Sequence, residues 1–210
     1  GDPSTPIYNP MLDGDNTYYA DDYLVHNKGC FIPGTQVQLE DGSHKAIEAL
    51  VKGDRVQGQT RVNTVIDMKL LKLEAQQLYS INGGTAFVTD GHPFMTTQGW
   101  KAVSPESAAK ENPNLVVGKL EVGDVLISKD GPVTIKTLTA HKGDPSTPIY
   151  NPMLDGDNTY YADEYLVHNK GGSCFVAGTK VVLGDKSTRN IEDIRVGDVL
   201  LGKDGSLNPV

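Results

Sequence analysis

The residues of this 210-residue chain that could do chemistry are two thiols, Cys30 and Cys174, each a few positions after a His-Asn pair. A thiol is a strong nucleophile at neutral pH. An asparagine side-chain amide can attack its own backbone carbonyl, close a succinimide and cut the chain. A neighbouring imidazole can polarise that carbonyl and carry a proton. These residue types predict chemistry on the polypeptide backbone itself.

An internal repeat explains the position of these residues. Residues 1–29 recur at 143–171 with a single change, and CFIPGTQVQLEDG from Cys30 resembles CFVAGTKVVLGDK from Cys174. One repeat unit therefore runs from one cysteine to the next. The predicted boundaries are a tail of a preceding unit at 1–27, a spacer at 28–29, a complete domain at 30–169, a spacer at 170–173 and a head of a following unit at 174–210.

The repeat boundary assigns each His-Asn pair and the cysteine after it to different domains. Cys30 is predicted to work with the distant His168-Asn169, and the chain is expected to be a piece of a longer array. The terminal pieces, residues 1–26 and those beyond 171, are expected to be poorly ordered or loosely paired. Their own His26-Asn27 and Cys174 are expected to be inert, because each terminal piece lacks the rest of its own domain.

The elements that must position these groups are predicted to be β-strands. TQVQLEDG and TRVNTVIDMKLLKL alternate in polarity, which favours an all-β fold. Short helical turns are predicted only at HKAIEAL and SPESAAKEN, where Ser104-Pro105 resembles a capped helix start. Gly53-Asp54 and Gly123-Asp124 lie about half a unit apart, so the unit is predicted to be a duplicated β half.

Composition limits the partners and cofactors. The net charge of −8 argues against a nucleic-acid partner, and no apolar run is long enough for a membrane span. A single disulfide stays open as the less favoured use of the two cysteines. The acidic loop LDGDNTYYADE is either a solvated turn, which is favoured, or a calcium loop that lacks the EF-hand glycine and glutamate. No metal or other cofactor is predicted.

Four motifs in order resemble the Hint superfamily, which contains inteins, hedgehog autoprocessing domains and bacterial intein-like domains. They are CFIPGTQVQL, KGDRV, the T-x-x-H of TDGHPF, and TYYADEYLVHN, and they span residues 30–169. The resemblance implies a horseshoe-shaped, pseudo-two-fold all-β fold that brings the first and last residues together. It also implies a bacterial source. The compartment stays open, and one alternative is a host protein that is secreted or at the cell surface.

The resemblance also implies roles for individual residues. Cys30 would be the nucleophile of an N–S acyl shift on the Gly29-Cys30 peptide, and Thr89 and His92 would hold and protonate that peptide. His168 and Asn169 would carry out the terminal cyclisation. The implied substrate is the flanking polypeptide of the same chain. The implied chemistry is single-turnover self-processing by a monomer rather than multiple-turnover enzymology.

Two features depart from the family pattern. Asn151 and Asn158 stand where many inteins have Asp and His, so any support from them is limited to hydrogen bonding. Lys170 stands where splicing inteins usually have Cys, Ser or Thr, which predicts cleavage at both ends and at most inefficient splicing. Two alternatives remain: an inactive Hint-like module that serves as a structural repeat, and a Cys-His hydrolase acting on other molecules.

Overall fold

The computed structural model describes residues 7–8, 17–20, 23–26, 30–112, 115–169, 175–202 and 205–210. β-Strands are the main regular structure among them. The strands are β1 Ile7–Tyr8, β2 Thr17–Ala20, β3 Tyr23–His26, β4 Gln36–Gln38, β5 His44–Ala46, β6 Arg55–Gln57, β7 Val62–Lys72, β8 Gln77–Ile81, β9 Val88–Thr89, β10 Phe94–Thr96, β11 Gly99–Ala102, β12 Gly118–Lys119, β13 Val125–Ser128, β14 Gly131–Thr134, β15 Leu138–Lys142, β16 Pro148–Leu154, β17 Thr159–Ala162, β18 Tyr165–His168, β19 Phe175–Val176, β20 Lys180–Val182, β21 Thr188–Asn190, β22 Val199–Leu201 and β23 Leu207–Pro209. The predicted all-β class is confirmed.

The only α-helix in the described part of the chain is α1, Pro105–Glu111. Ser104 caps it by accepting the N–H of Ser107 at 3.2 Å, and proline stands at the first helical position, as predicted. The other predicted helical turn becomes β5 followed by a 3-10 turn at Ile47–Ala49. No helix among the described residues is long and apolar enough to cross a membrane.

One compact unit spans Lys28–Gly171. Its largest sheet has the order β12-β11-β10-β13-β18-β17-β4-β5, with β14 beside β13. The long strand β7 pairs antiparallel with β16 and also with β6. Alternation along these strands buries one face of each, and the buried aromatic rings come together in one core. These rings belong to Phe31, Phe87, Phe94 and Tyr160.

The predicted internal symmetry appears as two equivalent turns. The carboxylate of Asp54 accepts a hydrogen bond from Lys45 Nζ at 2.6 Å and one from a backbone N–H three residues earlier. Asp124 repeats this arrangement: its carboxylate accepts a hydrogen bond from Lys101 Nζ and one from the backbone N–H of Glu121, three residues earlier. Both turns need a glycine because the residue before each Asp has a positive φ, 97° and 101° respectively. The two halves thus share the structure of this turn as well as its Gly-Asp motif.

A second compact unit combines Gly1–Asn27 with Gly172–Val210. Ala20 in β2 pairs with Val181 in β20, and Tyr8 in β1 pairs with Phe175 in β19. The described strands of the two terminal segments are therefore paired with each other, whereas the sequence led us to expect poor order or loose pairing. The reason is that the tail is a near copy of β16–β18, and the head offers it the edge that β4 offers in the first unit. Asn27 and Cys174 lie outside the described residues.

Candidate active site

The first predicted pair, Cys30 and Thr89, lies in contact inside the protein. The Cys30 side chain is 1% exposed, and its backbone N–H donates to Thr89 Oγ1 at 3.0 Å. The Thr89 backbone N–H in turn donates to the Cys30 carbonyl at 3.2 Å. These contacts fix the backbone nitrogen of the first residue of the repeat unit. Gly29, on the other side of that nitrogen, lies outside the described residues.

The third predicted residue, His92, lies on the turn after β9. Its backbone N–H donates to the Thr89 carbonyl at 3.4 Å, which explains the T-x-x-H spacing. The imidazole is fully buried, and its centroid lies 4.2 Å from that of the Phe31 ring, edge to face. Because Phe31 directly follows Cys30, this packing holds the imidazole beside the start of the unit.

The other end of the unit is also positioned by hydrogen bonds. His168 Nδ1 lies 2.6 Å from the backbone oxygen of Asn169, the last described residue of the unit. A carbonyl oxygen only accepts, so Nδ1 carries the proton. Burial lowers the pKa of His168, so at neutral pH the ring is a neutral donor to this carbonyl. Asn169 itself is 2% exposed, and its backbone N–H donates to the Asn158 carbonyl at 2.6 Å.

The two ends meet through strand β10. Phe94 in β10 pairs with Val167 in β18, and the His168 backbone N–H donates to the Pro93 carbonyl at 3.0 Å. Pro93 directly follows His92, so the backbone beside His92 is hydrogen-bonded to the backbone of His168 at the other end of the unit. The structure thus brings the predicted residues Cys30, Thr89, His92, His168 and Asn169 into one region of the first unit.

A match to a family model shows the family of the chain. A family model described as Vint, a Hint domain, matches residues 29–141, which is more than half of the chain. The chain belongs to the Hint-domain family.

Solved structures show the same fold for this Hint domain. A bacterial intein-like domain from Clostridium thermocellum is 25% identical with a TM-score of 0.54, covering 68% of this chain and 100% of that chain. The gp41-1 intein is 23% identical with a TM-score of 0.52 and the same coverage. A DnaB intein from Synechocystis is 17% identical with a TM-score of 0.50, covering 68% of this chain and 99% of that chain. No curated protein matches the chain.

Two asparagines were predicted to give at most hydrogen-bonding support. Asn158 supports the end of the Hint domain through its backbone, because its carbonyl accepts the Asn169 N–H. Asn151 lies on β16 with only 4% of its surface exposed, directly opposite Lys69 of β7. Lys170 lies outside the described residues.

Two aromatic residues of the Hint domain contact the predicted histidines, which the sequence did not indicate; it predicted only that Trp100 packs. Trp100 packs edge to face on His168 with 5.1 Å between ring centroids, which restrains the imidazole. Tyr160 is fully buried, and its ring lies 6.4 Å from that of His92. Burial and, secondarily, the charge of Cys30 raise the pKa of Tyr160, so its hydroxyl stays protonated. The strand alternation of TYYADEYLV predicts that Tyr160 is buried, but nothing in it indicates which side chains the ring contacts.

The acidic loop of the Hint domain is tied to a distant segment by hydrogen bonds to Asp157, a role that was not among the two predicted alternatives, a calcium loop and a solvated turn. Asp157 Oδ1 accepts from Asn63 Nδ2 at 2.6 Å and from Thr159 Oγ1 at 2.8 Å. Its Oδ2 accepts from both the N–H and the hydroxyl of Thr60. Partial desolvation opposes ionisation, but these donors outweigh it and hold the pKa of Asp157 well below its usual range. Thr159 pairs with His168 across β17 and β18, so the tether reaches the active site.

Replacing Asp157 with asparagine is expected to destabilise the Hint domain by roughly 1–3 kcal/mol, the usual cost of breaking charge-assisted hydrogen bonds. The folded-state pKa is depressed, so the ionised carboxylate contributes its stability above about pH 4. That contribution is lost as the pH falls through the folded pKa. The difference between wild type and Asp157→Asn in urea unfolding should therefore be full at pH 7 and shrink below pH ~4. The exposed Asp130→Asn is the control, and a difference that does not depend on pH would contradict the tether.

Proposed function

We propose that the Hint domain is a self-processing element that breaks its own backbone at the Gly29-Cys30 and Asn169-Lys170 bonds. The observation that carries the proposal is the hydrogen bond from the Cys30 N–H to Thr89 Oγ1 at 3.0 Å. It holds the nitrogen that must leave when the first bond breaks. The fold shared with inteins and a bacterial intein-like domain supports the same conclusion.

The first step is an N–S acyl shift. Cys30 Sγ attacks the carbonyl carbon of Gly29, the C–S bond forms, and the C–N bond of the peptide breaks. His92 protonates the departing nitrogen, and the thiol proton is released, so the shift is an isomerisation from amide to thioester. The exchange is uphill, and the packed site supplies the fixed geometry that makes the attack productive. An added thiol then takes the acyl group and releases the amino-terminal flank.

The second step is cyclisation of Asn169. Its Nδ2 attacks its own backbone carbonyl carbon while the oxygen accepts the hydrogen bond from His168 Nδ1. That donor stabilises the negative charge that develops on the oxygen. The C–N bond to Lys170 breaks, Nδ2 gives up one proton and the leaving nitrogen gains one, and a succinimide remains at residue 169. The carboxyl-terminal flank leaves with Lys170 as its first residue.

Lys170 makes cleavage the main outcome. Its side chain has no thiol or hydroxyl to accept the acyl group from Cys30, so the two flanks cannot be joined by transesterification. The α-amine freed by cleavage after Asn169 titrates near pH 8 and can attack the thioester. We expect a peptide that joins Gly29 to Lys170 as a minor product. Its absence by mass spectrometry, under conditions where both cleavages occur, would eliminate this route.

The test is the mass of the purified chain after incubation at neutral pH with and without a thiol. Thiol-dependent breakage before Cys30 should disappear in Cys30→Ala, and breakage after Asn169 should disappear in Asn169→Ala. The repeat provides matched controls, because Cys174→Ala and Asn27→Ala change the equivalent residues of the incomplete copies and should change nothing. An intact mass in every condition would instead identify an inactive structural repeat. Cleavage of an added peptide would identify a hydrolase.

A further inference from the structure

A lysine lies in the same cross-strand row as the nucleophile. Lys69 of β7 is directly opposite Asn151 of β16. Phe31 and Tyr150 exchange two backbone hydrogen bonds, of 3.0 and 2.7 Å. In an antiparallel pair the residue before Phe31 therefore faces the residue after Tyr150, which places Cys30 opposite Asn151. The row across the three strands is Lys69, Asn151 and Cys30.

Burial shows that the three side chains share the inner face. Lys69, Asn151 and Cys30 are 5%, 4% and 1% exposed. Cys30 packs in one apolar cluster with Leu73 and Ile149. Ile149 is two residues from Asn151 on β16. Leu73 directly follows β7, four residues from Lys69, and its N–H still donates to the Thr147 carbonyl, so both residues lie on the same face as Lys69 and Asn151. Two strand spacings, about 10 Å, separate the Lys69 and Cys30 backbones, and a lysine side chain is long enough to span much of that distance.

The charge of Lys69 has a chemical consequence for Cys30. Lysine is almost never this buried unless its charge interacts with another group. The neutral amide of Asn151, between the two, cannot cancel that charge. A cation beside a thiol favours the thiolate, which is the reactive form. The other titratable groups beside the start of the unit are His92 on the β9–β10 turn and Tyr160 on β17, whose hydroxyl stays protonated.

We propose that Lys69 is a further residue of the amino-terminal site, where its ammonium group stabilises the negative charge on Cys30 Sγ as the thiol loses its proton. The role is electrostatic: Lys69 gives up no proton and forms no bond during the acyl shift. The thiolate then attacks Gly29, and His92 supplies the proton that the departing nitrogen requires. The proposal rests on the proposed function for its effect on cleavage, but the ionisation of Cys30 can be measured without it.

The test replaces Lys69 with methionine, which keeps most of the length of the side chain and removes its charge. In a Cys174→Ala, Asn169→Ala chain, Cys30 is the only thiol and the carboxyl-terminal bond stays whole. Thiolate absorbance, taken as the difference from the same chain with Cys30→Ala, should show the thiol pKa of Cys30 raised by about one unit. With Asn169 restored, thiol-induced cleavage before Cys30 at neutral pH should slow about tenfold. Cleavage after Asn169 should be unchanged.

Two further variants keep the proposal open to refutation. Lys72→Met removes an exposed charge from the same strand and should leave both the titration and the cleavage unchanged. Asn151→Asp keeps Lys69 but places a carboxylate beside it, and it should also raise the thiol pKa. An unchanged Cys30 titration in folded Lys69→Met, or an equal shift in Lys72→Met, would overturn the proposal. If wild type never cleaves before Cys30, the proposed function fails while the titration still decides the role of Lys69.

Discussion

Replacing His92 with leucine is expected to slow thiol-induced cleavage before Cys30 by about 10²–10⁴-fold, the usual contribution of a positioned acid. His92 protonates the departing nitrogen in the proposed acyl shift, and leucine cannot. Leucine can occupy the apolar space between Phe31 and Phe94, so the fold should persist. Time courses of the product masses at fixed thiol concentration measure the effect.

Two comparisons separate this effect from general damage. Cleavage after Asn169 should continue in His92→Leu, because in the proposed mechanism His168 assists that end of the domain. His44, which lies 3.5 Å from the carboxylate of Glu164, is the control histidine. His44→Leu should cleave at the wild-type rate at both ends. Cleavage before Cys30 at an undiminished rate in His92→Leu would remove His92 from the mechanism.

Replacing Lys170 with cysteine is expected to convert much of the cleavage into splicing. The new thiol can take the acyl group from the Cys30 thioester, so the two flanks become linked before Asn169 cyclises. The amide that then forms is more stable than the thioester, which makes the joining irreversible in practice. The measurement is the appearance of a ligated product in which Gly29 is joined to the introduced cysteine, together with a released fragment covering residues 30–169.

Lys170→Ala is the matched control, since it removes the lysine without adding a nucleophile. It should cleave like wild type and give no increase in ligated product. Adding Cys30→Ala to the Lys170→Cys variant should abolish the product, because no thioester forms. A Lys170→Cys chain that cleaves at both ends but never ligates would show that residue 170 does not reach the thioester.

Much of the fold was accessible from the sequence because repeats and turns leave local signatures. The recurrence of residues 1–29 marked where a unit ends, and alternating polarity marked its strands. The paired Gly-Asp turns at Gly53 and Gly123 indicated the internal duplication. The helix at Pro105 was predicted because a capping serine and a proline act within a few residues. Each of these signals can be read from the sequence without knowing which distant residues are in contact.

Features that depend on contacts between distant residues could not be predicted. In MKLLKL, Lys69 and Lys72 look alike, and only the pairing of β7 with β16 shows that Lys69 faces inward. Asp157 looked like one carboxylate in an acidic loop, whereas its partners Thr60 and Asn63 come from a distant segment. The pairing of the two terminal segments also required the register between them.

That pairing creates a problem of folding fidelity for any longer array. The tail at 1–29 and its later copy at 143–171 differ at one position, so their strands have nearly equal affinity for a given head. Neighbouring repeats this similar are prone to misassembly, in which a strand from one repeat completes another. Chain connectivity rather than sequence must therefore select the correct tail. An array made on the ribosome has an advantage here, because each unit emerges and can close before the next competing tail exists.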